Sequence, residues 1–153
     1  MRYFFIVLTV FISGKEAFGQ TAEDSVKAVI NTMFTAMKNA DGELLKSCFS
    51  DSVVFQTIAR NKDGSIIIKT ENPEQFINQV KMAKPGLLDE RIHFETVKVD
   101  GPLAIAWTPY HFYLDNQFSH CGVNSFQLVR FSGIWKIQYI IDTRRRSGCP
   151  DME

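Results

Sequence analysis

The sequence is short of the features that mark several large functional classes. Its 153 residues include 17 Lys and Arg and 17 Asp and Glu, so the chain carries no net charge. Without a basic surplus, there is no electrostatic field to hold nucleic acid or an anionic membrane. Only three histidines are present, and the sequence lacks the closely spaced ligand pairs of a zinc site. We therefore predict no nucleic-acid partner, no metal site and no cofactor.

Long hydrophobic runs are missing as well. The apolar run from Tyr3 to Ile12 is too short to span a bilayer as a stable anchor. It follows Arg2, and small residues within 17–19 suit a cleavage site, which is typical of a signal peptide. We predict a signal peptide over residues 1–19, a single domain over residues 20–153, and an exported protein, periplasmic or secreted, with no stable membrane anchor. A buried N-terminal strand or helix is the alternative.

Cysteines are few, and their number is odd for an exported protein. Cys48 falls in an apolar helical stripe, where a small buried hydrophobic residue is expected. Cys121 and Cys149 are the favoured disulfide pair, because the last predicted strand runs antiparallel beside Cys121 and the chain beyond it could turn back. The spacing alone leaves the disulfide state open, since pairing requires a suitable geometry.

The predicted domain begins with helices. Thr21 and Asp24 form a capping-box pattern ahead of apolar residues that recur at three- and four-residue spacing over 26–37, which predicts an amphipathic helix. A short helix over about 43–49, a hairpin, and a third helix that starts at Asn72 follow. The predicted order is helix, helix, hairpin, helix, then four antiparallel strands, of which the first covers residues 91–99.

Three long strands between Leu103 and Thr143 carry most of the usable chemistry. Two-residue turns at 115–116 and 132–133 separate aromatic-rich runs, which is a strong hairpin signal. Because side chains alternate between faces, counting outward from each turn predicts the register. The predicted cross-strand pairs are Tyr113 with Phe118, His111 with His120, Trp107 with Asn124, Arg130 with Trp135, Leu128 with Ile137, and Phe126 with Tyr139.

This register collects apolar side chains and a few polar ones on one face, a composition that favours a small-molecule pocket. The chemically useful members of that face are Trp107, His111, Tyr113, His120, Asn124, Phe126 and Tyr139. Trp107 and Phe126 would serve as stacking walls for a planar ligand, or equally as core. The opposite face is mostly polar, with Tyr110, Phe112 and Leu114 as exposed aromatic or apolar residues.

The chain resembles the nuclear-transport-factor-2-like superfamily, also called ketosteroid-isomerase-like, in three features. These are the order of its elements, the motif FSDSVVFQ after the second helix and the motif SGIWKI in the last strand. The stretch from Ala106 to Cys149 is similar more specifically to its lumazine-binding branch. The resemblance implies an α+β fold in which a cone-shaped, strongly curved antiparallel sheet wraps around the long N-terminal helix. It also implies a pocket at the open end of the cone.

Matching FSDSVVFQT to the isomerase motif places Gln56 where ketosteroid isomerases have their general base. A glutamine side chain cannot accept the proton, so a typical ketosteroid isomerase activity is not expected. Gln56 becomes a candidate for ligand binding instead.

Three functions remain open. The first is binding of a small organic molecule, planar or heterocyclic, by Gln56, Trp107, Asn124, Phe126 and Tyr139. The second is a lyase or isomerase in which His111 and His120 act as an acid–base pair with Tyr113 as proton donor. The third is a homodimeric assembly module that uses the exposed face with Tyr110, Phe112 and Leu114. The alternative to catalysis is that the two imidazoles stack or form hydrogen bonds with each other, Tyr113 or a water, and only fill the interior of the cone.

Overall fold

The computed structural model describes residues 21–152, which form three helices and seven strands. The predicted signal peptide, residues 1–19, lies outside the described residues. None of the helices within 21–152 combines the length and apolar character that crossing a membrane requires. In chain order the elements are α1 (Ala22–Lys38), α2 (Gly42–Ser47), β1 (Phe49–Arg60), β2 (Ile66–Glu71), α3 (Pro73–Met82), β3 (Leu88–Ile92), β4 (Thr96–Asp100), β5 (Leu103–Leu114), β6 (Gln117–Phe131) and β7 (Ile134–Arg145).

Helix α1 starts as the sequence predicts. The Asp24 backbone N–H donates to Thr21 Oγ1 at 3.0 Å, and the Thr21 backbone N–H donates to Asp24 Oδ2 at 3.3 Å, which completes the capping box. Five members of the predicted apolar stripe are buried, Val26, Ile30, Met33, Phe34 and Met37, and the sixth, Val29, is partly buried. Burying this stripe against the sheet stabilises the helix far more than its intrinsic propensity does.

The strands form one curled, unclosed sheet in the order β2-β1-β7-β6-β5-β3, and β4 also pairs with β5. Neighbouring strands are antiparallel except for β1 and β7, which run parallel, so the sheet is mixed rather than wholly antiparallel. The strand predicted over about 91–99 is two strands. Of these, β4 pairs with the first half of β5 and β3 with the second half.

A β-bulge corrects the predicted register of β5 against β6. The turn at Asp115 and Asn116 has positive φ angles of 51° and 61°, as a two-residue hairpin requires. Tyr113 pairs with Phe118 as predicted, but Phe112 already pairs with His120, which leaves one extra residue on β6. One extra residue inverts which side chains of the two strands share a face. The predicted pairing of His111 with His120 is therefore wrong.

Two more predicted pairs fail for the same reason. Trp107 pairs with Ser125 rather than Asn124, because it lies beyond the first bulge. A second bulge separates the pairs of Leu128 and Gln127 on β6, so Phe126 pairs with Ile140 rather than Tyr139. The predicted inner face of β6 is therefore kept from His120 onward, whereas Phe118, also predicted to face inward, lies with Tyr113 and His111 on the outer face. The predicted inner face of β5 is inverted and that of β7 changes midway.

The core lies between α1 and one half of the concave sheet face. Phe126, Leu128 and Ile137 are fully buried there, and the Phe126 ring meets the edge of Phe34 with 6.2 Å between ring centroids. Apolar burial of this kind is the main favourable contribution to folding.

A disulfide joins Cys121 on β6 to Cys149 after β7, the pair that the sequence favours. The Cα atoms of the two residues are 5.6 Å apart. Cys48 is a buried free thiol, and burial raises its pKa.

Candidate functional site

The half of the concave face that α1 leaves uncovered forms a cavity of about 850 Å³. This volume lies within the range of known small-molecule sites. Helix α3 and strand β2 form one side of the cavity, the end of α1 contributes Phe34 and Met37, and strands β1, β3, β5, β6 and β7 form the floor. The apolar lining consists of Phe34, Met37, Phe55, Phe76, Val80, Met82, Ala83, Leu87, Leu88, Phe112 and Ile140.

Asp142 is at the centre of a polar network on the floor. Its Oδ1 accepts a hydrogen bond from the Thr57 hydroxyl at 2.5 Å, and its Oδ2 accepts from Arg144 Nε at 2.7 Å. The Tyr110 hydroxyl lies 3.2 Å from the same Oδ2 and 3.0 Å from the Thr143 carbonyl oxygen. Burial raises the pKa of Tyr110, which therefore stays a neutral donor.

Arg144 joins this network to the edge of the cavity. Its Nη2 donates to Thr57 Oγ1 at 2.9 Å and to Glu71 Oε1 at 3.0 Å. The Arg144 side chain is 46% exposed, so it lies where the cavity opens to solvent. The guanidinium is thus shared between two carboxylates.

Gly122 makes room for Tyr110. It lies between His120 and Asn124 on β6, facing Tyr110 across the strand pair. A Cβ atom at this position would overlap the Thr143 carbonyl oxygen and lie 2.9 Å from the Tyr110 ring. Only glycine allows so close an approach here.

Glu90 on β3 is the second carboxyl of the cavity. Its Oε1 accepts a hydrogen bond from Asn124 Nδ2 at 2.8 Å. Burial and, to a smaller extent, the charge of Asp142 raise the pKa of Glu90 to about 7, against the opposing effects of the Asn124 hydrogen bond and the Arg144 charge. Among the described residues, no cation lies within ion-pair distance of Glu90.

His120 also faces the cavity. Its ring is 4.9 Å from the Phe112 ring and 5.7 Å from the Tyr110 ring, and its Nδ1 is 3.1 Å from Ser119 Oγ. Burial and the nearby Arg144 lower the pKa of His120. The imidazole is therefore neutral at pH 7 and can both donate and accept a hydrogen bond.

Three of the predicted site residues line the cavity: Gln56, His120 and Asn124. The Gln56 amide is already occupied, because its Oε1 accepts from the Tyr139 hydroxyl at 2.6 Å and its Nε2 donates to Thr70 at 3.3 Å. Asn124 and His120 remain the better placed of the three. Within residues 21–152, no group of three His, Cys, Asp or Glu side chains is arranged to hold a metal ion.

The other predicted site residues lie elsewhere. Trp107 is 46% exposed on the convex face. His111 pairs with Cys121 on that same face and its Nε2 is 3.1 Å from the Pro150 carbonyl oxygen. Tyr113 lies under Arg91, whose Cζ is 4.2 Å from the ring centroid. The bulge that inverts β5 explains all three corrections.

Phe126 and Tyr139, both predicted to bind the ligand, lie outside the cavity for different reasons. Phe126 is fully buried in the core under α1 and does not line the cavity. The second bulge puts Ile140 and Asp142 on the inner face, so Tyr139, one residue before Ile140, is on the outer face.

Sequence reasoning missed the main polar residues of the floor: Thr57, Glu90, Tyr110, Asp142 and Arg144. Tyr110 and Asp142 were assigned to the outer face by the uninterrupted register. Glu90 immediately precedes the predicted strand over residues 91–99. One signal was available, since an aspartate directly after Ile140 and Ile141 is unusual in a buried strand unless it has partners.

No protein-family model matches the chain, and no curated protein matches its sequence. It is similar in structure to a nuclear-transport-factor-2-like protein of unknown function from Shewanella baltica OS155, with a TM-score of 0.61, 13% identity, and coverage of 80% of this chain and 93% of that chain. A protein of the same description from Silicibacter pomeroyi DSS-3 gives a TM-score of 0.61, 16% identity, and coverage of 79% and 93%.

A domain of unknown function with a cystatin-like fold from Nostoc punctiforme PCC 73102 gives a TM-score of 0.63, 18% identity, and coverage of 84% of this chain and 80% of that chain. At such low identity, similarity in structure establishes the fold and leaves the activity open. The chain therefore has the nuclear-transport-factor-2-like, cystatin-like α+β fold. This is shown by its helices packed in a curled mixed sheet and by its similarity to these solved structures.

Proposed function

We propose that this protein binds a small organic ligand in the cavity on the concave face of the sheet. The observation that carries the proposal is the cavity itself, an apolar enclosure of about 850 Å³ whose floor has convergent polar groups. Such a combination is typical of small-molecule sites, where apolar walls supply affinity and a few polar groups fix orientation. Four phenylalanines in the lining suit a planar or heterocyclic body.

We propose that the protein works outside the cytoplasm, as a periplasmic or secreted protein. The disulfide between Cys121 and Cys149 supports this proposal, because disulfides persist in oxidising compartments and are rare in reducing ones. The predicted signal peptide over residues 1–19 agrees with it.

Acid–base catalysis is a second candidate function, with a different pair of groups from the one predicted. His111 and His120 lie on opposite faces and cannot act on one ligand. Glu90 and His120 both face the cavity, and the pKa of Glu90 is near neutral. A carboxyl group of this kind can both take up and release a proton near pH 7.

A homodimer stays a prediction, and its surface is revised. Tyr110 and Phe112, two of the three residues assigned to it, line the cavity instead. Leu103, Ile105 and Trp107 form an exposed apolar row on the convex face of β5, and we propose this row as the dimer surface. Sedimentation equilibrium of the wild type and Ile105→Glu tests it: an unchanged mass would contradict the surface.

Native mass spectrometry of the protein purified from its own host tests the binding function. We expect a small molecule to stay bound and to be released by denaturing extraction. Ile140→Trp should fill the cavity and abolish the bound mass, whereas Ile141→Trp, the next residue on the opposite face, should retain it. An empty wild-type protein, or equal loss in both variants, would contradict the proposal.

A further inference from the structure

We propose that the ligand carries a basic nitrogen, as a protonated amine or heterocycle, which binds the carboxylate of Glu90 on the cavity floor. This inference rests on the proposed binding function and names the chemical class of its ligand. It follows from the charges that line the cavity, from the hydrogen bonds of Glu90, and from the aromatic walls.

The charges of the cavity favour a cation. Among the lining residues, the charged side chains are Glu71, Glu90, Asp142 and Arg144. Arg144 is engaged by Asp142 and Glu71, so this three-residue cluster already carries a net negative charge. Glu90 adds further negative charge when it is ionised. An anionic ligand would therefore meet repulsion, and a cationic one attraction.

The hydrogen bonds of Glu90 leave it ready to accept a donor. Asn124 on β6 holds Oε1 at 2.8 Å and fixes the orientation of the carboxyl group, while the described residues make no hydrogen bond to Oε2. Glu90 is half-buried, so its carboxylate has lost part of its hydration without gaining a cation, and a charge-assisted hydrogen bond from a ligand would compensate for that loss. Asp142 is a poorer acceptor because Thr57 and Arg144 occupy its two oxygens.

The walls of the cavity suit the same ligand class. Phe34, Phe55, Phe76 and Phe112 line it, and Phe55 and Phe76 meet edge to face with 5.6 Å between centroids. Aromatic faces attract cations through the ring quadrupole, and they also pack well against planar rings. An aromatic ligand with a basic nitrogen uses both properties of these walls.

The proposal has a defined pH dependence. The groups that face Glu90 are Tyr110 from β5, Asn124 and His120 from β6, and Asp142 and Arg144 from β7. With the pKa of Glu90 at about 7, most of the carboxyl group is protonated at pH 6 and ionised at pH 8. Because a cation binds only to the ionised form, its affinity should rise by about tenfold between these pH values.

Calorimetric titration of the protein with three naphthalene probes tests the inference. The probes are 2-naphthylmethylamine, 2-naphthylmethanol and 2-naphthoate, which share a ring and differ in charge. At pH 8 we expect the amine to bind about tenfold tighter than the alcohol, and the carboxylate to bind weakest. Glu90→Gln, which can still accept from Asn124, should remove the preference for the amine and weaken binding of the amine far more than binding of the alcohol.

Glu71→Gln is the matched control, because it removes a lining carboxylate that is already paired with Arg144. It should reduce the preference for the amine by less than about threefold. Equal or tighter binding of the alcohol or carboxylate would overturn the charge inference while leaving the binding function supported. An equal effect of the two variants would also overturn it. Binding of none of the three probes would contradict the binding function itself.

Discussion

The two halves of the concave sheet face are built from the same strands but differ in what covers them. Strand β6 presents Leu128 and Phe126 to α1 at one end, where both are fully buried. Farther along the same face it presents Asn124 and His120 to the cavity. The change from apolar to polar side chains along one strand therefore coincides with the end of the helical cover.

The comparison shows how one fold separates stability from function. The covered half has only apolar side chains on β6 and gains its stability from burial. The open half keeps polar groups that need partners. These partners come from five strands, β1, β3, β5, β6 and β7, as in the contacts of Asp142 with Thr57 and Tyr110 and of Glu90 with Asn124. The cavity remains because α3 approaches this half from the side, where it forms one wall.

The largest expected effect lies in the covered half. Phe126→Ala should lower the free energy of unfolding by about 3–5 kcal/mol, because it removes a fully buried ring and leaves a cavity beneath α1. Urea denaturation measures it. Phe131→Ala, at a position that is 50% exposed, is the control and should cost far less. Similar losses in the two variants would contradict the division into halves.

In the open half, Glu90 should make stability depend on pH. Its pKa is raised in the folded protein from 4.5 to about 7, so the folded state holds the proton more tightly than the unfolded state. The stability from this proton is complete below pH 4.5 and is lost as pH rises through 7, by at most about 3 kcal/mol.

Glu90→Gln has no such titration. Its stability relative to the wild type should therefore increase from pH 5 to pH 7 and level off above pH 8. Urea denaturation at intervals of one pH unit measures the difference. A difference that stays constant with pH would show that Glu90 has an ordinary pKa.

Two buried threonines give a finer test of the open half. Thr57 bonds to Asp142 and Arg144, so Thr57→Val should cost about 1–3 kcal/mol. In the described part of the chain Thr108 Oγ1 is buried without a hydrogen-bond partner, so Thr108→Val should be neutral or stabilising. Thermal unfolding of both variants measures the contrast. Equal losses would mean that Thr108 has a partner in solution.

The smallest effect is expected for His111, which lies on the convex face. His111→Ala should change the free energy of unfolding by no more than about 0.5–1 kcal/mol and leave the bound mass unchanged. His120→Ala should lower occupancy of the cavity, because it removes a lining ring and a neutral hydrogen-bonding group. Native mass spectrometry compares the two. A loss of ligand in His111→Ala would restore the paired-histidine hypothesis.

Local signals predicted most of the fold. The capping box at Thr21, the Asn72 cap of α3 and the turns at 115–116 and 132–133 are encoded by neighbouring residues, and each appears in the structure. The inner face of β6 was predicted as well, which is why Asn124 and His120 lie in the cavity.

The rest of the site depends on the bulges, which neighbouring residues do not encode. The extra residue near Phe118 has no glycine or proline to mark it, yet it moves His111 and Tyr113 out of the site and Tyr110 into it. A bulge is selected by packing and by the curvature of the sheet, both of which involve residues far apart in the chain. Glu90 was missed because the break between β3 and β4 is set in the same way.

The disulfide also determines how the fold would respond to a mechanical load. Strand β7 lies between β1 and β6, and the chain beyond it is tied back to β6 through Cys121 and Cys149. Tension applied at the C-terminus would pass through this covalent bond into the middle of β6. The load therefore bypasses β7, which would not be unzipped from its C-terminal end one hydrogen bond at a time while the disulfide is intact.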